Sequence, residues 1–262
     1  MNTLQIFGRS TWLQYKALMQ WANPRGYVAY KILLPVTQII FFVQLGVFAT
    51  GRGNALYFAL GNALSLTANA GIFGVVATVA NERQYGTLPI LLASPANRFV
   101  TFMSRTSVNL IDGVVTVITG LVVVALLYGL DLAHANVALL ALCILIITVS
   151  TAGLGLLFGS IGLVMRDAII IANVVYYGLL ILCGINFPVS RLPEWLQLLS
   201  ASLPMTRGVE AAREAVAGAS LGHVSGLLLG EIGIGLVYAF LGYALFRLLE
   251  AHARRGGLQD AY

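Results

Sequence analysis

Apolar residues in this chain come in long unbroken runs, not in the alternation of a half-buried strand or the narrow stripe of a soluble helix. Six stretches carry almost no Asp, Glu, Lys or Arg: Ile32 to Thr50, Leu56 to Ala80, Thr106 to Leu130, Val137 to Met165, Ala168 to Phe187 and Val224 to Phe246. Crossing roughly 30 Å of hydrocarbon takes about 20 apolar residues in a helix. Barrel strands are about half that length and alternate polar with apolar side chains, so the pattern predicts helices. The expected fold is an all-α polytopic membrane protein of six transmembrane helices, with residues 1–262 forming a single transmembrane domain.

Composition sharpens this picture. Of the 262 residues, 59% are hydrophobic and only 10% charged, against roughly 25% charged in an average soluble domain. With a mean hydropathy of +0.88, most of the apolar surface must face lipid or other buried helices, which excludes an ordinary soluble protein. Cys143 and Cys183 sit inside apolar runs, so neither a disulfide framework nor a cysteine zinc site is expected. The net charge of +5 comes from scattered residues and forms no dense cluster, which argues against a nucleic-acid partner.

The basic residues report topology instead. With six spans, both termini share a side with Arg9, Lys16, Arg25, Lys31, Arg83, Arg98, Arg105, Arg166, Arg247, Arg254 and Arg255. The other side holds Arg52, Arg191, Arg207 and Arg213. Eleven against four makes both termini cytoplasmic. About 27 polar or amphipathic residues precede the first run, so no cleavable signal is expected. Within residues 1–27, Phe7, Trp12, Tyr15 and Met19 can share a helical face, which favours an in-plane amphipathic helix over a disordered tail, broken by Asn23-Pro24, with Trp21, Tyr27 and Tyr30 at interfacial depth.

Two connections differ from ordinary loops. Residues 81–98 read NERQYGTLPILLASPANR, with charges first, a Gly-Thr pair, an apolar patch at Leu88, Ile90, Leu91 and Leu92, and Ser94-Pro95 at the end. Two readings stand open: a short surface helix whose leucines dock on a partner, or leucines packed beneath the bundle's own face. Residues 188–222 read PVSRLPEWLQLLSASLPMTRGVEAAREAVAGASLG. Pro193 suits one helix start, Thr206 a cap of a second, and Glu210 with Arg213 or Glu214 with Arg207 a pair across it. Two short helices bent at Leu203-Pro204 are expected, dipping into the outer leaflet because the first is mostly apolar. Trp195 and Leu199 are expected to be buried in that leaflet or against the last span.

The order of amphipathic start, two spans, ER-x-x-GTL-x-x-LL-x-SP, four further spans and a Leu-Pro-x-Trp-Leu hairpin before the last one resembles the permease subunit of type-2 ABC exporters (the ABC-2 family) over nearly the whole chain. The resemblance implies that residues 81–98 form a coupling helix inserted into an ATP-binding subunit. It gives that role to Glu82, Arg83, Gly86, Thr87, Leu88, Leu91, Leu92, Ser94 and Pro95. Many members have an acid after Gly-Thr-Leu; here Pro89 stands there. The resemblance further implies that residues 188–222 are a re-entrant pair near the outer exit, with Trp195, Leu196 and Leu199 at the gate. Two permeases, a homodimer in the simplest case, would join two ATP-binding subunits in the cytoplasmic membrane of a prokaryote.

The chain itself lacks G-x-x-x-x-G-K-[ST], the loop whose amides and lysine hold phosphates, and its two lysines, Lys16 and Lys31, each follow a tyrosine. No cofactor is expected in this chain, and ATP and Mg belong to the partner subunit. His134, His223 and His252 have no ligand spacing between them, so no metal site is expected. At membrane depth, charge is costly. Asp112 falls two turns after Arg105, which favours a structural pair over a transport role; Glu231 lies in the last span beside Gly226, Gly230, Gly233 and Gly235, and is left protonated, paired with a hairpin arginine, or in contact with substrate.

Gln38 and Gln44 in the first span, Asn62, Thr67 and Asn69 in the second, and Asn173, Tyr176, Tyr177 and Asn186 in the fifth either bond helix to helix or line a path. The resemblance puts spans one, two and five of two protomers around the substrate. The sparse charge favours a hydrophobic or amphipathic drug or antibiotic-like cargo over a lipid-linked glycan or glycolipid. A membrane enzyme acting on lipid would need clustered acids or histidines; a structural scaffold is the remaining alternative.

Overall fold

The computed structural model describes residues 3–21, 26, 29–87, 98–130, 133–163, 165 and 167–255. They form helices without strands among the described residues. In chain order these are α1 (Thr3–Trp21), α2 (Leu34–Thr50, entered through a π turn at Ala29–Leu33), α3 (Ala55–Gln84), α4 (Arg98–Tyr128) and α5 (Val137–Ile161). After them come α6 (Ala168–Leu182), α7 (Glu194–Ser202), α8 (Thr206–Val216) and α9 (Leu221–Arg255).

Five of these helices are long and apolar enough to cross a membrane, and α6 is a shorter apolar helix. The chain is a multi-pass membrane protein. The fifth run, expected to Phe187, ends its helix at Leu182 after 15 residues, about 22 Å at 1.5 Å per residue. Gly184 at φ +73° turns the backbone there, a conformation that costs a residue without Cβ little. The fourth run, expected to Met165, also ends its helix early: α5 stops at Ile161, and Gly162 after it keeps right-handed backbone at φ −60°.

The core lies between α3 and its neighbours α2, α4, α5 and α6, while α5 also packs on α8 and α9. Lipid gives helices no hydrophobic incentive to associate, so contact depends on close approach and interhelical hydrogen bonds. Small residues permit both. A Cβ on Gly155 of α5 would strike the carbonyl oxygen of Gly71 in α3, and one on Gly235 of α9 would lie 2.8 Å from Ser150 Oγ. Of the four glycines expected on a packing surface in the last span, Gly235 meets α5 and Gly230 lies under the Arg207 side chain, whereas Gly226 and Gly233 face open space.

The outward faces are apolar: Phe48 of α2 is 91% exposed, and Leu126, Val174 and Phe240 are also exposed. Such a surface suits lipid or a second chain. Helix α1 packs on α4, with Thr11 Oγ1 donating to the Ser104 carbonyl at 3.2 Å, and leaves Phe7, Trp12 and Tyr15 exposed. Asn23, Pro24 and Tyr27 and the side chains of Met19, Trp21 and Tyr30 lie outside the described residues.

Candidate functional site

Two polar assemblies stand at opposite ends of the bundle. The first closes the end of α3. Glu82 forms an ion pair with Arg105 of α4 and accepts a hydrogen bond from Thr87 Oγ1 at 2.5 Å, while the Thr87 amide donates to the Glu82 carbonyl at 2.9 Å. Gly86, at φ +67° with open space around its α-carbon, makes the turn that brings Thr87 back. Arg83 reaches the Gly162 carbonyl after α5 at 3.4 Å. Four residues of the expected coupling segment therefore knit the ends of three helices. Leu88, Leu91, Leu92, Ser94 and Pro95 lie outside the described residues, as does Pro89.

Arg105 is thus taken by Glu82, which corrects the expected pair with Asp112. Asp112 is bridged instead by Lys31 from the π turn before α2, whose Nζ also donates to Thr116 Oγ1 at 2.6 Å. Spacing along one helix shows who shares a face; it does not show which neighbour brings the opposite charge.

The second assembly is the hairpin of α7 and α8. Its bend falls at Leu203–Met205, where Met205 takes φ +86°, the only left-handed non-glycine residue among those described. Thr206 does not cap α8; its Oγ1 donates to the Ser200 carbonyl at 2.7 Å. The cap comes from another helix. Glu231 of α9, fully buried, accepts from the Met205 amide at 2.5 Å and from the Gly208 amide at 3.1 Å. These are donors that a helix start leaves without partners, at the positive end of its dipole. Of the alternatives for Glu231, an arginine partner in the hairpin is overturned: Arg207 donates to the Ala201 carbonyl at 2.6 Å.

Arg213 likewise meets no carboxylate among the described residues. Nη1 donates to the Tyr57 carbonyl at 3.0 Å, Nη2 to those of Gly184 and Ile185 at 3.1 and 3.2 Å, and the guanidinium lies 3.6 Å from the centre of the Tyr57 ring. Neither expected pair across α8 forms: Glu210 is exposed, and Glu214 is 3.9 Å from His223.

These contacts set the depth of the hairpin. The Asn136 amide, at the start of α5, donates to Ala215 at 2.8 Å, while Gly208 packs against Ile147, eleven residues or about 16 Å further along α5. Helix α8 therefore runs antiparallel to α5 and α9, from their ends to Ile147 and Glu231. Helix α7 is different. Trp195 is 70% exposed and Leu199 is exposed too, with Leu196 half-buried, so none of them is packed away against α9. A cavity of about 430 Å³, lined by Tyr57, Thr206, Arg207, Glu210 and Arg213 among others, opens between the hairpin and α3.

The uncharged polar residues divide. Gln38 Nε2 donates to Tyr176 OH at 2.9 Å and to Ser65 Oγ at 3.2 Å, tying α2, α3 and α6 together. Asn62 donates to Phe58 and Asn186, both at 2.9 Å, while its own Oδ1 is buried without a partner among the described residues. Asn173 bonds its own helix at Ile169, at 2.9 Å. Gln44 and Tyr177 are exposed and Asn69 is half-buried outside this network. Ser65, which sequence reasoning passed over, was signalled by standing one turn after Asn62.

With this geometry in view, comparison with known proteins is decisive. The family model described as ABC-2 type transporter matches residues 10–216. The chain belongs to the ABC-2 type transporter family. It is also 27% identical, over 193 residues, to the protein named "Probable multidrug ABC transporter permease YbhR" in Escherichia coli (strain K12) and in Escherichia coli O157:H7. The match covers 73% of this chain and 52% of each relative, so the chain spans about half the length of the curated relatives it matches. As a member of the family, the chain is a membrane component of an ABC transporter.

Proposed function

We propose that the chain is the permease of an ATP-driven exporter, in which two copies form the pathway and two ABC ATP-binding subunits dock on residues 81–98. The observation that carries this reading is the ER-x-x-GTL motif at the end of α3. Glu82 and Thr87 bind the departing loop to Arg105 of α4, so a push on the loop is felt by two long helices at once. Helix α6 together with residues 183–187 serves as a sixth span, α1 lies in the membrane plane, and both termini face the cytoplasm of a prokaryote. ATP and Mg are bound by the partner.

The cargo is a hydrophobic or amphipathic drug or antibiotic-like molecule. The multidrug name of the relatives supports this, as do spans with few charges, of which Asp112 and Glu231 are met within the chain. The exposed apolar faces of α2 and α6, with Gln44 and Tyr177 among them, are offered to the second copy and the path. The test is Leu88→Asp with Leu91→Asp in the assembled complex: cargo-stimulated ATPase activity should vanish while the permease still inserts. Undiminished stimulation would sink the docking assignment.

A further inference from the structure

We propose that Glu231 is a positioning residue of the outer gate, pinning α8 to the last span so that the hairpin opens by a swing of α7 alone. The inference rests on the reading of residues 188–222 as that gate. Three fastenings hold α8 to the bundle: Glu231 at its first turn, Arg213 on the carbonyls of Tyr57, Gly184 and Ile185, and Asn136 at its last turn. Helix α7 is held at its C-terminal end, where Ser200 Oγ donates to the Leu182 carbonyl at 2.7 Å and Arg207 and Thr206 reach back to Ala201 and Ser200. Its other turns carry the exposed Trp195, Leu198 and Leu199.

The hinge between them is the strained residue. A methionine at φ +86° is unfavourable by roughly 1–3 kcal/mol and persists where its surroundings over-determine it. Here the carboxylate of Glu231 holds its amide directly. The same carboxylate takes the Gly208 amide one turn on, the two donors that a capping box would satisfy from within its own helix. The first turn of α8 has no acid to do this locally. Glu231 is also built into the bundle, since its backbone carbonyl accepts from Ser150 of α5 at 3.3 Å. Any movement of α9 therefore carries the start of α8 with it and leaves α7 to pivot.

The test uses the full chain in membranes, with Cys143 and Cys183 replaced by alanine and single cysteines introduced at Val209, Trp195 or Val117. Val209 and Val117 are buried and Trp195 is exposed. A membrane-impermeant maleimide should label Trp195→Cys quickly and Val209→Cys slowly. Buried thiols react through local opening, and losing two hydrogen bonds favours opening roughly ten- to hundred-fold. Glu231→Ala should thus speed Val209→Cys by that factor and leave Trp195→Cys and Val117→Cys unchanged. Glu231→Gln, whose amide oxygen still accepts one amide, should restore most of the protection.

Unchanged labelling at Val209 in Glu231→Ala would overturn the proposal, and so would an equal rise at Val117, which would mean general loosening. If Glu231→Ala does not accumulate, Glu231→Asp decides by the same criteria, because its shorter side chain withdraws the carboxylate from the amides. The labelling needs neither an ATP-binding subunit nor a cargo, so its failure is distinct from failure of the transport reading.

Discussion

At the Glu82 end of the bundle charge meets charge, and at the hairpin end charge meets backbone. Glu82 pairs with Arg105 and Lys31 with Asp112, all four partly exposed. Glu231, with no exposure, and Arg213, largely covered, are satisfied by amides and carbonyls. The difference follows from what each end contains. Continuous helices end near the Glu82 assembly, where long side chains can reach one another and water. A helix that starts inside the bundle, as α8 does at the buried Met205 and Gly208, brings unpaired amides among other helices, and a fixed acceptor there must meet them. Chain breaks inside a bundle thus call for buried charges, whereas chain ends at its surface tolerate ion pairs.

This contrast predicts a graded set of losses. The largest belongs to Arg213→Ala, which strands three carbonyls and removes the cation from the Tyr57 ring. Unfolding in mixed micelles should show a loss of about 3 to 5 kcal/mol, with Arg213→Lys recovering only part because one ammonium cannot serve three acceptors at once. A loss as small as that of a surface pair would break the contrast. Next comes the Glu82–Arg105 pair, whose coupling energy in a double-mutant cycle should be about 1 kcal/mol and shrink with added salt. Salt-independent coupling would mean that this end is as sealed as the hairpin. The smallest effect is expected from Tyr176→Phe, which removes the uncharged interhelical bond to Gln38 and a longer one to Ser65 Oγ at 3.4 Å, a loss of about 0.6 to 1.2 kcal/mol. A value near that of Arg213 would make the α2–α3–α6 node a structural centre in its own right.

Much of the architecture was legible from the runs of apolar residues, because a helix long enough to cross a bilayer must announce itself in composition. The hairpin's two helices and their bend at Leu203-Pro204 were readable from proline positions and a cluster of leucines. Charge partners were not. Asp112 and Arg105 share a helical face, yet each is claimed by a different neighbour, Lys31 and Glu82, brought in by tertiary packing. Glu231 was visible as an anomaly, a carboxylate in an apolar run, but its partners are backbone amides, and every residue has one. The available signal was indirect: α8 begins Thr206-Arg207-Gly208 without an acid, so its free amides needed an acceptor from elsewhere. The short α6 was hidden in a run that stays apolar through Phe187, because the turn at Gly184 depends on backbone conformation and on Arg213 gathering the freed carbonyls.

The central claim is that this chain works as the membrane half of an ATP-driven exporter. Native mass spectrometry of the full chain, affinity-purified from its own membranes with whatever stays bound to it, tests that claim most directly. The account predicts two copies of the chain with two copies of a protein carrying a Walker A motif, and loss of the ATP-binding subunits alone when Leu88 and Leu91 are both changed to Asp. A chain that is recovered without any ATP-binding protein, or only as a one-to-one complex, would contradict it.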